Sequence, residues 1–340
     1  MFLTTSHKMR KSLKPLLSLS ARRGASISQL AHDLNFEMEH SDIESITLHI
    51  VKLWMEESVI LYDVIKRCEK LHTLKIVHCG IIEDEAVGRL SVVFEQCTSL
   101  THLALNENDM ERDGVERLAK VLPICTSLTH LDLSKNDIDA ETAKSLANGL
   151  KQCTALACLN LYGNNLSPEG GHNVIAALQH CAFLHTLNLN FACIKDDAVG
   201  HLAKLLPNWK SLSHLHLDGN EITPDGMESL ASVLNQCTSL KCLDLGVNNI
   251  GSEGAERIAN VLPQCTSLTQ LDLRDNFIDK EGMESLAVVL GQCTSLRVLD
   301  FCDNNIDEEE EAWFEMEVRH NCPVLKLDCQ TIFGELAESL

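Results

Sequence analysis

The sequence predicts an α/β fold, a right-handed solenoid of repeated strand–helix units, on three observations. A cysteine heads a motif that returns in steps of 28 residues, at Cys97, Cys125, Cys153, Cys181, Cys237, Cys265 and Cys293, with Trp209 on the remaining rung. Behind each head the leucines alternate with polar residues, as in CTSLTHLDLSKN (125–136) and CTSLKCLDLGVN (237–248), which is the period of a strand. The period then changes: in GVERLAKVL (114–122), Val115, Leu118, Ala119 and Leu122 fall on one face of a helix, and GMESLASVL (226–234) and GMESLAVVL (282–290) repeat that face. One such unit cannot bury its own apolar side, so the units must stack.

Taken along the chain, residues 1–39 read as a basic, flexible tail, with Lys8, Arg10, Lys11, Lys14, Arg22 and Arg23 and no acid before Asp33. The same composition also suits a mitochondrial presequence, although Pro15 interrupts any amphipathic helix there. Residues 40–96 carry degenerate repeats, in which Ile43, Ile46 and Leu48, then Leu71, Leu74 and Ile76, keep the leucine spacing. Regular repeats fill 97–321, and 322–340 reads as a C-terminal cap. Thr223 before Pro224 and Ser167 before Pro168 place a capping hydroxyl ahead of a proline at a helix start. The asparagine after each strand (Asn108, Asn136, Asn164, Asn220, Asn248, Asn276, Asn304) is expected to satisfy backbone groups of adjacent coils. Ala192 breaks that ladder, and its turn is expected to be looser. Trp209 is expected in the core. The last helix window, 307–319, exchanges much of its apolar face for glutamates, as a solvated cap does; as an alternative it would recruit basic partners.

Composition narrows the function. A formal net charge of −21 argues against a nucleic-acid binder, whose affinity comes mostly from lysines and arginines on phosphates. No apolar run is long enough to span a membrane. Cysteines that recur once per unit are small apolar core residues and read as reduced, which places the chain in the cytoplasm or nucleus.

The core motif L-x-x-L-x-L-x-x-N is the leucine-rich-repeat signature, and the chain resembles the ribonuclease-inhibitor-like class of these repeats. Members include ribonuclease inhibitor, the C-terminal arrays of nucleotide-binding leucine-rich-repeat receptors, and the Ran GTPase-activating protein. The resemblance implies a horseshoe of about ten 28-residue units with a parallel sheet inside and helices outside. It also implies a non-enzymatic protein-interaction scaffold, in innate immune signalling or its regulation. The alternatives are a GTPase-activating protein of the Ran activator type and a ribonuclease-inhibitor-like enzyme inhibitor. No G-x-x-x-x-G-K-[ST] occurs, so the nucleotide-binding module of the receptors is missing from this sequence.

In such a fold the residues between the buried leucines point to the concave face. The central row, Thr47, Lys75, Ala104, Asp132, Asn160, Asn188, His216, Asp244, Asp272 and Asp300, grows acidic towards its end, with Arg274 the chief counterweight. The partner-binding candidates are therefore Asp132, Tyr162, His216, Asp244, Asp272, Arg274 and Asp300, with a basic protein surface as partner. Tyr162 is the preferred aromatic anchor, whereas Phe191 could turn inward. The alternative for the aspartates is plain strand filler. His102, His130 and Cys158, on three adjacent strands, come nearest to a zinc set but want a fourth ligand. Thiol chemistry would fall to Cys242 and Cys302 on the open side. The sequence calls for no cofactor and no catalytic residue.

Overall fold

The computed structural model describes residues 98–327 continuously, together with 17–21, 43–49, 65, 68 and 70–78. It divides into two compact units, residues 1–138 with 148–156, and residues 139–147 with 157–340.

In the first unit, β1 (Leu17–Ala21), β2 (Ile43–His49), β3 (Thr73–Val77), β4 (His102–Ala104) and β5 (His130–Asp132) pair in parallel in chain order. Leu17–Ala21 lies in the stretch read as a tail, yet it pairs with β2; the remainder of 1–39 lies outside the described residues. Ile46, Leu71, Leu74 and Ile76 are fully buried, so the degenerate repeats keep the leucine positions that matter for the core. Helix α1 (Arg112–Val121) turns Val115, Leu118 and Ala119 inward, as its spacing requires, and Pro123 follows it in a 3-10 turn, Leu122–Ile124.

In the second unit, β6 (Cys158–Asn160), β7 (Thr186–Asn188), β8 (His214–His216), β9 (Cys242–Asp244), β10 (Gln270–Asp272), β11 (Val298–Asp300) and β12 (Lys326–Leu327) are again parallel and in chain order. Register advances by 28 residues per strand, for example Gln270↔Val298 and Val298↔Lys326, so the sheet runs on into the segment read as a cap. Helix α2 (Ala140–Leu150) precedes β6, and the helices between the strands are α3 (Ser167–Ala177), α4 (Lys195–Leu205), α5 (Pro224–Leu234), α6 (Gly251–Val261), α7 (Lys280–Leu290) and α8 (Glu308–Asn321). The core lies between sheet and helices. Leu187, Leu215, Leu243, Leu271 and Leu299 from the strands are fully buried, as are Ile175, Leu202, Leu230, Ile258 and Leu286 from the helices. Truncating one of these leucines would cost about 2–5 kcal/mol.

The asparagine ladder is built as its position demands. Asn248 Nδ2 donates to the carbonyls of Leu217, Leu245 and Gly246 at 2.8–3.0 Å, while its Oδ1 accepts from the backbone of Asn220 and Ile222 at 2.9 and 3.0 Å. One buried amide thus closes turns on two coils. At the broken rung the turn is not loosened. Leu166 N–H donates to the Ala192 carbonyl at 3.2 Å, and Phe191, Cys193 and Lys195 keep the left-handed φ found at other strand ends. Trp209 is buried, and its indole N–H donates to the Leu178 carbonyl at 3.3 Å; that is the bond Cys153 Sγ makes to Leu122 one type of rung over.

Helix capping follows the sequence in part. Thr223 accepts from the Asp225 amide, as expected. Ser167 does not cap: it sits at φ +58 as the first helical residue and makes no cap bond, because the left-handed backbone carries its side chain away from the helix start. Asp139, Asp279 and Asp307 are caps that the proline rule did not find, Asp307 with Glu310 forming a full capping box.

Candidate functional site

The strands are three residues long, and the chain turns immediately after them. A side chain with a carbonyl oxygen on the last strand residue can therefore reach the amide two residues on. Asp132 accepts from Ser134 N at 2.9 Å, Asn160 from Tyr162 N at 3.1 Å and Asn188 from Asn190 N at 3.0 Å. Asp244, Asp272 and Asp300 do the same with Gly246, Arg274 and Cys302 at 3.3, 2.9 and 3.1 Å. The consequence corrects the expected site. His216, Asp244, Asp272 and Asp300 are buried to within 1% of complete, and only Asp132 of the acidic row is half-exposed. Strands about 4.8 Å apart let neighbouring side chains shield one another, and the fold-back onto the amide draws each carboxylate down. Each of these side chains thus has a hydrogen-bonding role within its own chain.

Arg274 organises these carboxylates. Its guanidinium donates to Asp272 Oδ2 at 2.9 Å and, from its other terminal nitrogen, to Asp218 Oδ2 two coils away. Gly246 lies beneath the path: a β-carbon there would stand 3.1 Å from Arg274 Cγ and 3.2 Å from Asp272 Oδ1. On the far side Asn190 Nδ2 donates to Asp244 Oδ2 at 2.9 Å and its Oδ1 accepts from Asp218 N at 2.7 Å, while His216 Nδ1 contacts Asp244 Oδ2 at 3.4 Å. Burial first, and then the neighbouring Asp244, push Asp218 up to about 7 and Asp272 to about 8, with Arg274 offsetting only part of the rise. The row is therefore less negative at neutral pH than its sequence implies.

The residue just before each ladder asparagine is different. Gly163, Phe191, Gly219, Val247, Asp275 and Asp303 all have φ between 48 and 67. Their amides form one continuous ladder, each donating to the carbonyl before the equivalent residue of the next coil, from Gly163 N to Asn190 O through Asp275 N to Cys302 O. Left-handed φ turns these side chains outward. Phe191 is 42% exposed and does not fold inward; its ring lies over Gly219, where a β-carbon would come within 2.4 Å, and meets Tyr162 edge-on at 5.8 Å. Tyr162, half-buried, is thus one half of an aromatic pair whose more exposed half the sequence reading had set aside. Asp303 is exposed and Asp275 half-exposed, and neither forms an ion pair among the described residues. Two glycines in this row were the signal available in the sequence.

In the first unit the open face carries histidines instead. His102 and His130 stack at 4.1 Å. The Thr101 hydroxyl lies 3.0 Å from the His72 carbonyl and 2.8 Å from His102 Nδ1, within hydrogen-bond reach of both. Burial, and then Lys75, lower the pKa of His102 and keep it neutral. Among the described residues no group of three or more His, Cys, Asp or Glu could hold a metal ion, so the zinc set suggested by spacing is not assembled. The open-side thiols are corrected too: Cys242 is fully buried with its pKa pushed strongly up, first by burial, and Cys302 is disulfide-bonded. The head cysteines Cys125, Cys153, Cys181, Cys237, Cys265 and Cys293 are free thiols. No helix among the described residues is long and apolar enough to cross a membrane.

A 28-residue strand–turn–helix unit with a buried asparagine ladder defines an α/β leucine-rich-repeat solenoid. The leucine-rich-repeat family profile matches residues 96–119, 125–147, 210–231, 236–259 and 264–287. No curated protein sequence matches the chain. Among solved structures it is similar to an internalin (inlF) from Listeria monocytogenes, at 20% identity and TM-score 0.49 over 85% of this chain and 80% of that one. It is also similar to the mouse RP105/MD-1 complex, at 18% identity and TM-score 0.51, over 84% of this chain and 47% of that chain. At 18% identity the likeness to that complex speaks to the fold alone.

Proposed function

We propose that the chain is a non-enzymatic protein-interaction scaffold that holds a partner on the open sheet face of its second unit. The observation that carries this reading is the contrast across that face. A hydrogen-bonded polar layer around Arg274 fixes the surface, and exposed Phe191, half-buried Tyr162 and unpaired Asp275 and Asp303 stand on it. Rigid aromatics beside uncompensated charge are what protein interfaces use. A partner with a basic surface suits a chain of net charge −21. Asp244, Asp272 and Asp300 support the face, whereas Tyr162 and the outer edge of Arg274 are the predicted residues that a partner would meet. The resemblance to the receptor arrays favours a cytoplasmic setting and a role in innate immune signalling or its regulation.

The test is a photo-crosslinking amino acid at Tyr162, with one at exposed Val288 on α7 as control, in lysate of the cells that make the protein. A discrete crosslinked protein from position 162 and none from 288 is expected. Crosslinks confined to 288, or from neither position, would overturn the reading.

A further inference from the structure

We propose that the left-handed row at the strand ends of the second unit seats one extended segment of a partner, with an apolar side chain on Phe191 and two basic side chains on Asp275 and Asp303. This rests on the scaffold reading and names the contact that reading leaves open.

The row is a succession of outward-facing positions, one per strand: Gly163, Phe191, Gly219, Val247, Asp275, Asp303. Its chemistry is split. The first four positions offer an apolar shelf, on which the ring of Phe191 lies against Gly219 and Tyr162 braces it edge-on. The last two offer carboxylates without an ion-pair partner among the described residues, since the adjacent Arg274 is committed to Asp218 and Asp272. An apolar shelf alone would not choose an occupant, but the two carboxylates require it to be cationic at one end.

Spacing then fixes the form of the occupant. Strands lie about 4.8 Å apart, so Asp275 is roughly 14 Å and Asp303 roughly 19 Å from Phe191 along the row. Side chains on one side of an extended chain recur every ~6.6 Å, which puts basic residues about four and six positions from the apolar one. A helix, rising 1.5 Å per residue, would need about ten residues to reach Asp275 and would bring to the narrow row only one side chain per turn. The segment recognised is thus apolar-x-x-x-basic-x-basic in extended form, read in either chain direction.

A positional-scanning library of synthetic nonapeptides, panned on the full chain at low salt, tests this. The expected result is enrichment of an aromatic or aliphatic residue with Lys or Arg four and six positions away. The enriched peptide should bind at least tenfold more weakly to Phe191→Ala and to the Asp275→Asn/Asp303→Asn double variant. These positions are exposed or half-exposed, and unchanged melting curves confirm that both variants are folded. Absence of that spacing among bound peptides, or an enriched peptide that binds both variants as it binds the parent, would overturn the proposal. Crosslinking at Tyr162 without the peptide pattern leaves the scaffold standing and removes only this row.

Discussion

Two rows of the second unit, three residues of backbone apart, behave as opposites. Asp244 and Asp272, the last residues of their strands, are buried and bonded to their own chain, Asp272 also to Arg274; Asp275 and Asp303, just past the strands, face solvent unpaired. Residue type does not separate them. Backbone conformation does: extended φ in a three-residue strand folds an aspartate back on the next turn, and left-handed φ turns the same residue outward. An acidic repeat surface therefore has to be divided by backbone position before any of its charge is assigned to a partner.

The strongest way to break that contrast is Arg274→Met. It leaves Asp218 and Asp272 buried without their cation, and a loss of about 3 kcal/mol is expected in chemical denaturation at neutral pH. A change below ~0.5 kcal/mol would mean that the centre row is as loosely held as the outer one. The parent chain should itself lose stability as pH rises. Folded-state values of about 7 for Asp218 and about 8 for Asp272 mean that the folded chain keeps protons which the unfolded chain has released. Between roughly pH 4 and 8 stability therefore falls with rising pH, and the denaturation midpoint at pH 8.5 should lie below that at pH 5.5. Gly246→Ala sharpens the comparison by crowding Arg274 without removing it, for about 1 kcal/mol or slightly more in thermal melts. Asp275→Asn and Asp303→Asn, on the outer row, should stay within ~0.5 kcal/mol of the parent.

The fold was almost wholly legible because each structural requirement is written seven or eight times over: a misread residue in one unit is corrected by its equivalents in the others. The asparagine ladder, the buried cysteines and Trp209 follow from that redundancy. The site was legible only as far as sidedness. Alternation places Asp244 on the open side of its strand but says nothing of how closely three-residue strands crowd, so burial of the central row was missed. Phe191 was set aside because a bulky residue beside a broken rung suggested space to fill, whereas its left-handed φ, shared with Val247 and Asp275, sends it outward. Arg274 was found as a counterweight, but its reach over Gly246 to Asp218 is a relation between three coils that no single repeat displays.

The cysteine ladder also makes the molecule its own gauge of local opening. Burial holds the thiols of Cys125, Cys181, Cys237 and Cys265 at about 11 and that of Cys293 at about 12, so as folded they scarcely react with thiol reagents. Each coil that opens exposes its own cysteine at a known address, and the coil without one carries the buried Trp209 in its place. Timed alkylation followed by peptide mapping would therefore yield, from the unaltered chain, the order in which the repeats come apart.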